Sequence, residues 1–72
     1  MSEPQTIKVT ANGRSFTPRA EVSLPDFVDS LGLNMDRVVV EHNGQALTPE
    51  EARSTHLSDA DSLEIVRIVA GG

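Results

Sequence analysis

Alternating apolar and polar residues predict a strand near the start of the chain. In the segment TIKVT, Ile7 and Val9 fall on one face and the polar residues on the other, which is the pattern of a half-buried strand. Asn12-Gly13 follows and favours a type I′ turn, because both central positions of that turn need a positive φ. The next segment, RSFT, is therefore predicted to pair antiparallel with the first strand.

The spacing becomes helical after this hairpin. Ser23 is a suitable N-cap, Pro25 is tolerated in a first helical turn, and Gly32 can end the helix. The segment carries an apolar stripe along one face, formed by Leu24, Phe27, Val28 and Leu31. We therefore predict one amphipathic helix here.

The second half of the chain alternates between sheet and turn signals. RVVVEH predicts a strand in which Val39 faces away from its two valine neighbours, so the strand is expected to be covered on both faces. Asn43-Gly44 predicts a second hairpin, with QAL as its short returning strand. TPEEARS is expected to form a short helix capped by Thr48, and LEIVRIV to form the last strand.

The order of elements predicts the fold class. Two strands, a helix, two strands, a short helix and a last strand fit a single α+β domain of the β-grasp (ubiquitin-like) type, with a mixed sheet of four to five strands and one main helix. Composition alone does not choose this fold over another α+β sandwich, but the position of one helix after one hairpin favours it. The first and last strands should lie centrally and run parallel. Residues 1–5 are expected to be a flexible leader, 6–69 the β-grasp domain and 70–72 a flexible Gly-Gly tail. The predicted core residues are Ile7, Val9, Leu24, Phe27, Leu31, Val38, Val40, Leu57, Leu63 and Ile65.

The last strand leaves two interpretations open. Leu63 and Ile65 share one face, so Val66 and Ile68 fall on the other. Either these two side chains form an exposed apolar patch beside the tail, or a bulge near Arg67 turns Ile68 inward. In the first interpretation, an apolar patch binds a partner while two charged residues set its register. The predicted partner-binding residues are Val66, Ile68 and Phe16 for the patch, and Arg67 and Glu64 for the register.

Composition narrows the function classes. The 72 residues carry a formal net charge of −5, which argues against nucleic acid as a partner because such binding needs a basic surface. No stretch approaches the roughly 18 apolar residues of a membrane span, and the start lacks a signal-peptide pattern. We therefore expect no membrane partner and a cytoplasmic location. There are no cysteines, so disulfides and thiolate metal sites are not expected.

Few residues suggest catalysis. His42 and His56 have no partners at metal-binding spacing, so both are interpreted as solvated surface histidines and no metal site is predicted. Asp59 and Asp61 are interpreted as parts of a turn rather than as an acid–base pair. We expect a protein that is not an enzyme and binds no cofactor by itself.

The last two residues carry the chemistry of interest. Gly71 and Gly72 place no bulky atom near the terminal carboxylate, so the tail can adopt backbone conformations closed to other residues and enter a narrow channel. The carboxylate of Gly72 is ionised at neutral pH and is a fair nucleophile toward the α-phosphate of ATP. The resulting acyl adenylate would give a thiocarboxylate with sulfur, or an amide with an amine.

Several features of residues 38–72 match a known family. They are a Val-rich strand with Asn43 at its hairpin, an Asp-x-Asp turn at 59–61, an apolar last strand and the terminal Gly-Gly. With these features the chain resembles the ThiS/MoaD family of ubiquitin-like sulfur carriers, and its ThiS members most. The likeness extends loosely to residues 7–12 and 24–31. The family commonly has a Trp after the second hairpin, absent here, and a glycine where this chain has Ala60.

The resemblance implies a carrier protein. An E1-like, ThiF-type adenylyltransferase would adenylate Gly72 with ATP and magnesium, and a sulfur donor such as a cysteine desulfurase would convert it to a thiocarboxylate. A thiazole synthase or analogous acceptor enzyme would then take the sulfur, with thiamine thiazole synthesis as the expected pathway.

Other functions stay open at this point. The same adenylate would serve a ubiquitin-like modifier that forms isopeptide bonds through Gly72. A sulfur carrier could instead supply molybdopterin, cysteine, tRNA thiolation or a natural product. A plain β-grasp interaction domain, with no role for the tail, is the third alternative.

Overall fold

The secondary-structure elements follow the predicted order. The computed structural model describes residues 5–68, and its elements are β1 (Val9–Ala11), β2 (Arg14–Phe16), α1 (Leu24–Ser30), a 3₁₀ helix (Met35–Arg37), β3 (Val38–His42), β4 (Gln45–Ala46), α2 (Pro49–Arg53) and β5 (Asp61–Arg67). The 3₁₀ helix between α1 and β3 was not predicted. Most of the predicted leader and all of the tail lie outside the described residues, so the proposed domain limits stay a prediction.

The five strands form one mixed sheet in the order β2-β1-β5-β3-β4. β1 and β5 run parallel, whereas the other neighbouring pairs run antiparallel. The prediction of an α+β fold with central, parallel first and last strands and one main helix is confirmed. β5 is thus the middle strand of the sheet, and Ile68 follows it directly.

Helix α1 begins and ends where its capping residues predict. The Ser23 Oγ accepts a hydrogen bond from the Asp26 N–H at 3.1 Å, which satisfies one of the free donors of the first turn. After the last turn, Gly32 has a φ of +79°, a conformation that glycine adopts without steric cost. The helix buries Leu24, Phe27 and Val28 against the sheet.

Both Asn-Gly turns adopt the predicted backbone and also fasten their hairpins to β5. The φ angle is +52° at Asn12 and +51° at Asn43, and the glycine after each is positive as well. The side-chain amide of Asn12 pairs with the backbone of Ile65, accepting from its N–H at 2.7 Å and donating to its carbonyl at 2.9 Å. The Oδ1 of Asn43 accepts from the Ser62 N–H at 2.8 Å. Each asparagine therefore acts as a short extension of the sheet.

The core lies between α1, α2 and one face of the sheet. Most predicted core residues are fully buried, but Ile7, Leu31 and Val38 are only partly buried and pack against the core from its edge. Ala11, Val28 and Ala52 take places inside it that the prediction omitted. The buried core residues are Val9, Ala11, Leu24, Phe27, Val28, Val40, Ala52, Leu57, Leu63 and Ile65.

Candidate functional site

Three large apolar side chains remain exposed among the described residues, and they lie together. Val39, Val66 and Ile68 are 45%, 59% and 50% exposed. Val39 stands directly opposite Val66 in the β3–β5 ladder, on the face of the sheet that α1 does not cover, because their neighbours Val40 and Ile65 point into the core. We call these three residues the sheet patch.

The exposed patch decides between the two interpretations of the last strand. The β3–β5 register runs without interruption from His42 opposite Leu63 to Val38 opposite Arg67, so no bulge interrupts the ladder. The Ile68 N–H continues the ladder by donating to the Arg37 carbonyl at 2.8 Å. The expectation that β3 is covered on both faces is wrong, since Val39 faces outward as part of the sheet patch.

Phe16 does not belong to this surface. It pairs with the buried Val9 in the β1–β2 ladder, so its side chain lies on the core face of the sheet. Its ring packs edge-on against Phe27, with 5.5 Å between the ring centroids. Such a contact stabilises the core by about 0.5–1.5 kcal/mol beyond burial. The predicted grouping of Phe16 with Val66 and Ile68 is therefore corrected.

The two charged residues predicted to set the register lie on opposite faces. Glu64 is exposed and shares the outward face with Val66, since residues two apart on a strand point the same way. Arg67 has the parity of Ile65 and stands opposite Val38, and its neighbours in a shallow cavity are Gly32, Leu33, Asn34 and Arg37. Only Glu64 can therefore join the sheet patch.

An apolar groove of about 210 Å³ continues the sheet patch toward α2. Val39 and Ile68 line it from the patch side, and Asp36 and Arg53 stand in its lining with 3.6 Å between their charged groups. The apolar surface is therefore larger than the three patch residues alone. The aliphatic residues of the groove are Met35, Val38, Val40, Leu47 and Ala52.

A polar cluster around Asp61 has a structural role. The Asp61 carboxylate is buried and accepts hydrogen bonds from the His42 Nε2 at 2.9 Å, the Asn43 Nδ2 at 3.1 Å and the Ser58 N–H at 2.8 Å. Burial alone would raise the pKa of Asp61, but the bonds from His42, Ser58 and Asn43 together hold this pKa below its ordinary value of 3.8. The carboxylate therefore stays charged and pins the second hairpin to the turn before β5.

The two histidines differ. His42 is half-buried and bonded to Asp61, so its interpretation as a solvated surface histidine is wrong, whereas His56 is exposed as expected. Asp59 lies in the turn before β5, as predicted, and its Oδ1 accepts from the Lys8 N–H at 2.8 Å. Asp61 was predicted to lie in the same turn, but it is the first residue of β5. No group of three or more metal-ligating side chains occurs among residues 5–68.

The predicted chemical group itself, the carboxylate of Gly72 with Gly71 before it, lies outside the described residues. What the structure gives is the position from which this tail departs. Ile68 directly follows β5, the middle strand of the sheet, and belongs to the exposed sheet patch.

Comparison with known proteins adds to this geometry. The model of the ThiS family matches residues 4–72, which is nearly the whole chain. The chain belongs to the ThiS family. This ThiS-family protein is 38% identical over 66 residues to the uncharacterised protein ycf40 of Pyropia yezoensis, covering 92% of this chain and 93% of the relative. It is 32% identical over 68 residues to ycf40 of Porphyra purpurea, covering 94% and 96%.

A solved structure confirms the fold of this ThiS-family protein. The thiamine biosynthesis protein ThiS of Geobacter metallireducens superposes with a TM-score of 0.76 and 26% sequence identity, covering 92% of this chain and all of that one. The β-grasp prediction is therefore confirmed. None of the helices in the described part of the chain has the length and apolar character to cross a membrane.

Two residues of the surface escaped the sequence analysis. Val39 and Glu41 lie on β3, and only the β3–β5 register places them beside Val66 and Glu64. The run of three valines showed that one of them faces away from the core, but it did not show which strand lies beside it. Register between distant strands depends on the whole sheet rather than on local pattern.

Proposed function

We propose that this ThiS-family protein is a sulfur carrier whose Gly72 carboxylate is activated by an E1-like, ThiF-type adenylyltransferase and then converted to a thiocarboxylate. Family membership supports the carrier role. The main observation in support of the proposal is that an exposed apolar surface directly precedes the Gly-Gly tail in the chain. The sheet patch lies at the end of β5, and the tail follows within four residues of Ile68.

An apolar surface next to the tail suits a protein that docks on a partner and places its C-terminal end in the partner's pocket. An extended chain spans at most about 3.3–3.6 Å per residue, so the Gly72 carboxylate reaches no more than about 14 Å beyond Ile68. A partner that binds the sheet patch would therefore hold its ATP within that distance of the docked surface. The two glycines would let the end pass through a channel too narrow for side chains.

Adenylation and sulfur transfer are two separate steps. A carboxylate oxygen of Gly72 attacks the α-phosphate of ATP, the bond to the β-phosphate breaks, and magnesium pyrophosphate leaves. Hydrosulfide then attacks the acyl carbon, the bond to the AMP oxygen breaks, and AMP leaves with the electron pair. A cysteine desulfurase persulfide can supply the same sulfur atom if a thiol reduces the acyl disulfide that forms first. ATP and magnesium belong to the partner.

We infer the acceptor of the sulfur from the similarity to a solved protein whose function is named. ThiS of Geobacter metallireducens is a thiamine biosynthesis protein, so we propose a thiazole synthase as the acceptor and thiamine thiazole synthesis as the pathway, in the cytoplasm.

Intact-protein mass spectrometry tests the carrier function. The chain is incubated with a ThiF-type adenylyltransferase, ATP, magnesium and sulfide, and a mass gain equal to exchange of one oxygen for sulfur is expected. A variant with Phe added after position 72 should show no gain, because the tail no longer fits a narrow channel. Conjugates on other proteins would instead support a modifier. Unaltered mass of the wild-type chain in active enzyme would refute activation at Gly72.

The sheet patch can be tested separately from the tail. Val66→Asp should weaken adenylation while lowering the free energy of unfolding by only about 1 kcal/mol, because Val66 is exposed and the strand-propensity scale spans about that much. Ser15→Asp adds the same charge on β2, at the far side of the same face, and serves as the control. If Val66→Asp unfolds the domain, or if both variants are adenylated alike, the patch does not dock the enzyme.

A further inference from the structure

The outward face of the sheet carries an unfavourable pair of charges beside the sheet patch. Glu41 stands directly opposite Glu64 in the β3–β5 ladder, one outward position along from the Val39–Val66 pair. Opposed residues in a ladder have Cβ atoms about 4.5–5.5 Å apart, and like charges at such positions destabilise the sheet. Both side chains are exposed, and neither has a hydrogen bond or ion pair to another side chain among residues 5–68.

We propose that this carboxylate pair, together with the sheet patch, receives one lysine or arginine side chain of the activating adenylyltransferase. The proposal rests on the proposed function and adds the chemistry by which the enzyme recognises the carrier body. A cation placed between the two glutamates replaces repulsion by two charge-assisted contacts. The apolar part of the basic side chain lies on Val39 and Val66, because long basic side chains cover apolar surface with their methylene groups.

The order of features along β5 gives the docking a direction. Glu64, Val66 and Ile68 follow one another toward the tail, at about 3.4 Å per residue. The basic side chain of the enzyme is therefore expected about 14 Å from Ile68, on the side away from the ATP pocket. The net charge of −5 on the carrier favours the same kind of partner, since opposite charges speed the encounter.

The test compares steady-state adenylation of the wild type and the double variant Glu41→Gln/Glu64→Gln, measured as ATP–pyrophosphate exchange with a ThiF-type adenylyltransferase. We expect the KM for the carrier to rise roughly tenfold with kcat unchanged, since two exposed charge contacts, each contributing about threefold to affinity, are lost. The wild-type KM should rise steeply with salt, and that of the variant should rise less. Thermal unfolding of the variant should occur at the same temperature or higher, because repulsion in the sheet is relieved.

The control is Asp29→Asn on α1, which removes an exposed charge from the helical side of the molecule and should leave KM unchanged. A double variant with a KM within twofold of wild type, in an exchange reaction that the wild type supports, would overturn the proposal but not the carrier function. No exchange with the wild type would overturn both. Stable dimers of the chain alone by analytical ultracentrifugation would assign this face to a second copy instead, and so also count against it.

Discussion

Replacement of Asp61 by asparagine tests how the second hairpin is held. The buried carboxylate accepts three hydrogen bonds, two on Oδ2 from His42 and Ser58 and one on Oδ1 from Asn43. In Asp61→Asn the oxygen can keep the position of Oδ2, so the new NH₂ group faces the donor of Asn43. The hydrogen bond from Asn43 is then lost, because two NH₂ groups face each other. The hydrogen bonds from His42 and Ser58 remain, but they are weaker because their acceptor is no longer charged.

The size of the effect follows from these three contacts. An unpaired buried polar group costs about 1–3 kcal/mol, and a hydrogen bond to a charged group contributes about twice as much as a neutral one. We therefore expect Asp61→Asn to lower the free energy of unfolding by about 2–3 kcal/mol at pH 7. For a domain of this size that loss corresponds to a fall in Tm of roughly 10–20 °C.

The effect should depend on pH with a known sign. The pKa of Asp61 is lower in the folded chain than its ordinary value of 3.8, so the folded state favours the charged form. Its contribution is complete above this ordinary, unfolded value and is lost as the pH falls through the lower, folded pKa. Below that value wild type and variant both lack a charged group at position 61, and the difference between them should shrink.

Urea unfolding followed by far-ultraviolet circular dichroism is the suitable assay, because the chain has no Trp or Tyr for fluorescence. The matched control is Asp59→Asn, which leaves an oxygen to accept the single backbone bond from Lys8 and should change the free energy of unfolding by less than about 1 kcal/mol. This role of the Asp61 carboxylate is refuted if the free energy of unfolding of Asp61→Asn lies within about 0.5 kcal/mol of wild type at pH 7, or if the difference stays constant through the acid range.

Three further changes test other parts of the fold by the same assay. Ala60→Gly should stabilise the domain by about 0.5–1 kcal/mol, since Ala60 has a φ of +71° and the relief of strain exceeds the added chain entropy; a loss of stability would contradict this backbone. Leu24→Ala should cost about 3–4 kcal/mol because Leu24 is fully buried, and a cost below about 1 kcal/mol would show that α1 does not pack as described. Thr48→Ala should cost about 1 kcal/mol, because the Thr48 Oγ1 accepts the Glu51 N–H at 3.1 Å in the capping box of α2, whereas Thr48→Ser should be nearly neutral.

Local signals predicted the elements well because each depends on neighbouring residues. Asn12-Gly13 and Asn43-Gly44 require a turn wherever the rest of the chain lies, and Ser23 caps α1 through a residue only three positions away. The alternation in β5 likewise showed that Val66 faces away from Ile65. Predictions of this kind were confirmed.

Contacts between distant segments were predicted less well. Phe16 was placed in the exposed patch from strand parity and adjacency, but the β1–β2 register turns it toward Phe27. His42 looked like a surface residue because its partner Asp61 is nineteen positions away. The Glu41–Glu64 pair exists only in the assembled sheet. Each error concerns the face or partner of a side chain, which the register fixes and local pattern does not.

The central place of β5 also determines how the body responds to a pull on its end. β5 is bonded to β1 on one side and β3 on the other, and the amide of Asn12 grips it at Ile65. Tension along β5 therefore puts its hydrogen bonds to both neighbouring strands under shear at the same time, rather than breaking them one after another from an edge. The domain is thus expected to stay folded when its C-terminal end is pulled. A bound end is then withdrawn by movement of the whole domain, without unfolding.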